Sequence, residues 1–145
     1  MTTDRRRYIE GLRATSDPRV LFAGAIYGAG YRELQSHSFC YVHATEVGGT
    51  HPALIEAMGV GALVVANDTP ENAEVLGGAG LLYRFNDAGD LARVMQEVED
   101  DPERHAPLRR QARERARSEY SWEAVVERYE ALFRALTAGP GRRVL

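Results

Sequence analysis

The chain has 145 residues, with 18 basic and 21 acidic side chains, a formal net charge of −3 and one cysteine. That length holds one domain with a real core, the charge gives no electrostatic footing for nucleic acid, and a single cysteine excludes an internal disulfide. Every basic residue is arginine, so a lysine nucleophile, a Schiff base and a P-loop lysine are all excluded.

Asp4 predicts the cap of a first amphipathic helix, with Tyr8, Ile9 and Leu12 on one side and Ser16-Asp17-Pro18 beyond its end. Val20 to Ala23 predicts a first strand, followed by Gly24, a loop holding Tyr27, Gly28 and Gly30, and a helix around Tyr31 to Gln35. A second strand is expected over Phe39 to His43, a helix over Pro52 to Met58 and a third strand over Leu63 to Ala66. The turn Asn67-Asp68-Thr69-Pro70 leads to a short helix near Glu71 to Val75, and Gly77-Gly78-Ala79-Gly80 leads to a fourth strand, Leu81 to Tyr83.

Past Tyr83 the pattern is helical. Leu91, Val94, Met95 and Val98 mark one helix, and Asp101-Pro102 opens the next, with the acid serving as an N-cap rather than a metal ligand. The arginines from Arg109 to Arg117 read as a solvated helix face. Ser121 opens a last helix whose apolar stripe includes Trp122, Val125, Val126, Tyr129, Leu132, Phe133 and Leu136. This stripe is expected to pack on the sheet; the competing expectation is a surface for an N-terminal domain absent from this chain, or for self-association. A single α/β domain over residues 1–137, incomplete at its N-terminal side, is expected, with 138–145 as a flexible tail.

Short strands that are apolar throughout and separated by helices predict an α/β fold with a doubly wound parallel sheet. Ligands of such sheets gather beyond the carboxyl ends of the strands. Gly24 to Tyr27, Glu46 to His51 and Asn67 to Asn72 are thereby expected at one edge.

The chemistry is expected at Glu46-Val47-Gly48-Gly49-Thr50-His51-Pro52, which joins a strand to a helix. A helix N-terminus offers unpaired N–H groups and partial positive charge, so a glycine entry there seats an anion. Glu56, in the first turns of that helix, is placed to accept hydrogen bonds from vicinal hydroxyls such as those of a ribose. His43 reads as a satisfied edge histidine, His37 and His105 carry no signal, and Cys40 reads as a buried small hydrophobe. No Gly-x-Gly-x-x-Gly fingerprint, zinc-type cysteine and histidine set, or glycine-flanked serine elbow is present.

Glu46 to Gly59, with Leu63 to Asp68 and Glu74-Val75, resembles the donor-binding motif of the retaining, GT-B-type "group 1" glycosyltransferases, and the Glu-Val-Gly-Gly-Thr-His-Pro form is most similar to their rhamnosyltransferase-like branch. The likeness runs from about Arg19 to Tyr83, and Ser121 to Leu136 resembles the closing helix of such enzymes. It implies a Rossmann-like half of a GT-B fold with C-terminal helices, a nucleoside diphosphate sugar as partner, and no cofactor or metal. Glu56 would bind the donor ribose, Glu46 would be the catalytic residue near the transferred sugar, and Gly48, Gly49, Thr50 and His51 would meet sugar and phosphate. Gly24 and Tyr27 are further donor-site candidates.

Two departures stand out. The family's spacing, counted back from Glu56, lands on Gly48, whereas the available acid, Glu46, lies two positions upstream. The Arg and Lys pair that clamps the diphosphate in the family has no counterpart among Arg5, Arg6, Arg7 and Arg13. The chain therefore reads as a donor half that transfers little by itself. A nucleotide-sugar epimerase domain, or a non-catalytic nucleotide-sugar-binding or assembly module, is the alternative. With no apolar run long enough to span a membrane and no signal-peptide core, the expected compartment is the cytoplasm.

Overall fold

The computed structural model describes residues 3–137; the expected tail, 138–145, lies outside them. Two compact units divide the chain, 1–31 and 32–145. In the first unit, helix α1 spans Thr3–Arg13, with Asp4 inside its first turn rather than capping it. The Arg19 guanidinium then pairs with Asp17. Val20 to Ala23 forms no strand, and Leu21 is 83% exposed. Its apolar run signalled burial, but a strand exists only where a second backbone accepts and donates its ladder bonds.

Helix α2, Gly28–His37, carries the chain into the second unit. There β1 (Tyr41–His43), α3 (Pro52–Val60), β2 (Val64–Asn67), α4 (Pro70–Leu76) and β3 (Leu81–Tyr83) alternate, and helices α5 (Ala88–Asp100), α6 (Pro102–Tyr120) and α7 (Trp122–Thr137) follow. The three strands are parallel in the order β1-β2-β3, with Val42 opposite Val65 and Ala66 opposite Leu82.

Both faces of β2 are buried, which is why its sequence lacks polar alternation. Val64 and Ala66 pack with Leu54, Ala57 and Met58 of α3, Val75 and Leu76 of α4, and Ala112 and Ala116 of α6. Val65, on the opposite face, packs with Tyr83 and with Val94 of α5. The sheet is thus doubly wound and short. Half-buried Cys40 packs on this second cluster, and burial pushes its thiol pKa up, as suits a space-filling residue rather than a nucleophile.

Helix ends follow local chemistry. Thr69 Oγ1 accepts from the Asn72 N–H at 3.2 Å, Asp87 Oδ1 from Asp90 at 2.9 Å, and Asp101 Oδ1 from Arg104 at 3.2 Å. Gly61, at φ +78°, ends α3 with its N–H on Met58 O, while the Ala62 N–H reaches Ala57 O.

The arginines of α6 depart from the solvated face expected of them. Arg109 donates to the carbonyls of Phe39 and Gly61, Arg113 to Val60 at 3.0 Å, and Arg115 to Glu74 at 2.7 Å and Val75 at 2.8 Å. Carbonyls at the ends of α3 and α4 have no partner within their own helices, and a planar guanidinium supplies several donors at once. The last stripe also departs from its first expectation: none of the residues of α7 is buried, and Trp122 is 81% exposed. Among the described residues no helix is long and apolar enough to cross a membrane.

Candidate functional site

Because the strands run parallel, His43, Asn67 and Tyr83 end them at one edge. Three segments leave from there: Ala44 to His51, Asp68-Thr69 and Arg84 to Asp87. Asn67 and Asn72, both fully buried, knit them together. Asn67 Nδ2 donates to Asn86 Oδ1 at 2.9 Å, and Asn67 Oδ1 accepts from the Asn86 N–H at 2.9 Å. Asn72 Nδ2 donates to Asn67 O at 3.0 Å and to Thr45 O at 3.3 Å. The Thr45 carbonyl also accepts from Asn67 Nδ2 at 3.5 Å, so both amides tie the root of the glycine loop at Thr45.

From that root the loop runs exposed through Glu46, Val47, Gly48, Gly49 and Thr50. Gly48 holds φ +146°, where L-residues are strained, and a Cβ built on it would stand 2.5 Å from Cε1 and 2.8 Å from Nε2 of His51. The imidazole lies across the glycine. His51 is the N-cap of α3, in extended backbone geometry (φ −89°, ψ 116°), with no side-chain capping bond and with Pro52 next. Proline has no N–H to leave unpaired there, and the Leu54 N–H already bonds His51 O at 3.1 Å, so the open amide of the first turn is that of Ala53.

His51 faces a second imidazole. The ring centroids of His43 and His51 are 5.0 Å apart, tilted by 55°. His43 is 6% exposed and its Nε2 has no hydrogen-bond partner. Burial first, and then the charge of His51, holds its pKa below the ordinary histidine value. A satisfied edge histidine it is not. His105 is likewise buried with Nε2 unpartnered.

Glu56 sits one turn into α3 on its exposed side, between the buried Leu54 and Ala57. Its charge helps push the Tyr41 phenol pKa up, after the larger effect of burial, which places the carboxylate near the strand that feeds the loop. Glu46 is exposed in the loop itself. The structure thus gathers Glu46, Gly48, Gly49, Thr50, His51 and Glu56 on one strand-loop-helix segment. Gly24 (φ +73°) and Tyr27, 84% exposed, belong to the first unit. Among the described residues no group of three or more His, Cys, Asp or Glu side chains converges on a metal position. The hollow beside Phe39, Cys40, Ala92, Met95, Gln96 and Glu99 lies at the other end of β1 and is mostly apolar.

A glycosyl transferase-like family matches residues 3–131. The chain belongs to that family. Sucrose-phosphate synthase from Thermosynechococcus elongatus has a similar structure, with a TM-score of 0.75 at 29% identity over 93% of this chain. The chain spans 35% of the length of that protein. No curated protein matches the sequence. The family and this neighbour give the sheet and its helices their place as the Rossmann-like half of a GT-B glycosyltransferase fold.

Asn67 and Asn72 were expected at the edge but not as the ties of the loop, and the one available signal was their polarity within an apolar strand and helix start. His43 reads from sequence as a satisfied edge histidine and is not one, since an imidazole at a strand end is polar whether or not it finds a partner.

Proposed function

We propose that this chain is the donor-binding half of a retaining glycosyltransferase that moves a hexose or deoxyhexose, rhamnose among them, from a nucleoside diphosphate sugar to a glycan or lipid-linked acceptor. One observation carries it: the Glu46 to His51 glycine loop joins the carboxyl end of a parallel strand to the N-terminus of α3, one turn before Glu56. Family membership agrees with glycosyl transfer in general.

The roles follow from charge and geometry. Loop amides and the Ala53 N–H at the start of α3 meet the diphosphate and stabilise it as it leaves with growing negative charge. Glu56 accepts hydrogen bonds from the ribose hydroxyls and orients the nucleoside, Glu46 faces the transferred sugar, and Thr50 and His51 shape the passage between them. Catalysis is then a matter of positioning and electrostatics, with a second, acceptor-binding domain outside these residues.

Calorimetric titration with UDP, GDP and dTDP, and with their sugar conjugates, tests the assignment. One base is expected to bind, and Glu56→Ala is expected to weaken it about tenfold in a still-folded protein, the scale of a lost charge-assisted hydrogen bond. Absence of binding to all three, or binding indifferent to Glu56→Ala, would refute it. The exposed stripe of α7 supports a companion proposal, that this face is an association surface.

A further inference from the structure

We propose that His43 is a donor-site residue, its Nε2–H donating to a phosphate oxygen of the nucleoside diphosphate sugar seated at the N-terminus of α3. The proposal rests on the donor-binding function above and adds a residue that the glycine-loop motif leaves out.

Position comes first. His43 ends β1 at the edge where the loop departs, and its ring stands 5.0 Å from that of His51, the residue whose backbone opens α3. The second observation is the orphaned nitrogen. His43 is 6% exposed, yet Nε2 has no hydrogen-bond partner, a state that folded proteins tolerate at few positions. Packing alone gives no reason for it, because a phenylalanine at the same place would fill the space beside Tyr41 and His51 with nothing left unpaired. Third is the His51 ring beside it. His51 makes no side-chain capping bond and rests across Gly48, a contact that turning its side chain releases.

A phosphate held by the loop amides and the Ala53 N–H would reach Nε2 once the His51 ring turns aside. The imidazole donates as its neutral Nε2–H tautomer, so no proton has to be transferred. A group that is destabilising in the empty protein gains its partner on binding, as at sites where stability is given up for function.

The test uses the full chain with ¹⁵N-labelled histidines, titrated with UDP, GDP and dTDP and, in parallel, with uridine, guanosine and thymidine. The nucleoside diphosphate that binds is expected to move the His43 Nε2 resonance. His43→Phe is expected to keep or raise the melting temperature, to weaken that diphosphate about tenfold, and to leave the matching nucleoside within about twofold. Binding with an unmoved Nε2 resonance and an unchanged affinity in His43→Phe overturns the role of His43 while leaving the donor-domain function standing. Loss of stability in His43→Phe together with equal losses for diphosphate and nucleoside marks a packing residue and also overturns it. Failure of every nucleotide to bind the wild-type chain removes the donor function and this proposal together.

Discussion

Gly48 and Gly49 are neighbours in one exposed loop, yet an alanine should be felt very differently at each. Gly48→Ala places a methyl group at φ +146°, and the new carbon falls 2.5 Å from the Cε1 atom of His51. The collision is relieved by turning the imidazole, which is the far end of a side chain with no capping bond. The backbone strain remains, at about 1–3 kcal/mol for a residue held in so sparse a region. Gly49 is outside the positive-φ region and a Cβ there meets nothing within 4 Å, so Gly49→Ala should stay within about 0.5 kcal/mol of the wild type. Urea denaturation followed by circular dichroism would compare the two, and a thermal scan should separate them by about 3 °C per kcal/mol for a chain of this size. Gly48→Ala should also weaken nucleoside diphosphate binding more than Gly49→Ala, because the strained backbone at φ +146° shifts the loop amides. Equal stability losses at the two positions, or a larger loss at Gly49, would refute the conformational argument.

Three further outcomes are expected. The Arg93 side chain at 2.8 Å, followed by the Arg84 N–H at 2.7 Å, lowers the Asp90 pKa from 3.8 to about 2; the stability it contributes is complete above about 3.8 and is lost as pH falls towards 2. Urea midpoints measured across that window should fall less steeply for Asp90→Asn, and parallel profiles would count against the assignment. Asn72→Ala removes one hydrogen bond from the Asn67 carbonyl, which keeps the Thr69 N–H, and one from the Thr45 carbonyl, which keeps Asn67 Nδ2, and at about 0.5–1.5 kcal/mol for each bond should cost about 1–3 kcal/mol; a change under about 0.5 kcal/mol by chemical denaturation would contradict the tie drawn between them. In sedimentation velocity the wild-type chain should gain mass with concentration, whereas Val126→Glu combined with Phe133→Glu on the exposed face of α7 should remain monomeric; a wild type that stays monomeric throughout disposes of that surface.

Much of the sheet is legible in the sequence because its signals are local. Leu81 to Tyr83 is a strand as expected, Asp101 caps the helix that Pro102 begins, and the strand-loop-helix around Gly48 follows from glycine, proline and apolar order. What stayed hidden depends on partners far along the chain. Val20 to Ala23 has the composition of a strand and forms none, since composition does not supply a neighbouring backbone. The stripe from Trp122 to Leu136 marks an amphipathic helix correctly, but periodicity is silent on whether anything covers the apolar side. Arg109, Arg113 and Arg115 look like solvated charge until the helix ends they meet are known. For the candidate site, its place on the chain was legible; the orphaned nitrogen of His43 and the asparagine ties of the loop depend on the three-dimensional surroundings.

The arginines of α6 give α3 two unlike ends. At the rear, Arg109 and Arg113 grip the carbonyls of Gly61 and Val60, and the helix core around Leu54, Ala57 and Met58 is sealed. At the front, the cap has no side-chain bond and the loop before it is open to water. Amides near Val60 should therefore exchange with solvent far more slowly than those near Gly49. Such a helix behaves like a cantilever, fixed in the body of the domain and free at its tip, so that whatever docks at the tip rearranges a few loop residues and leaves the protein behind them still.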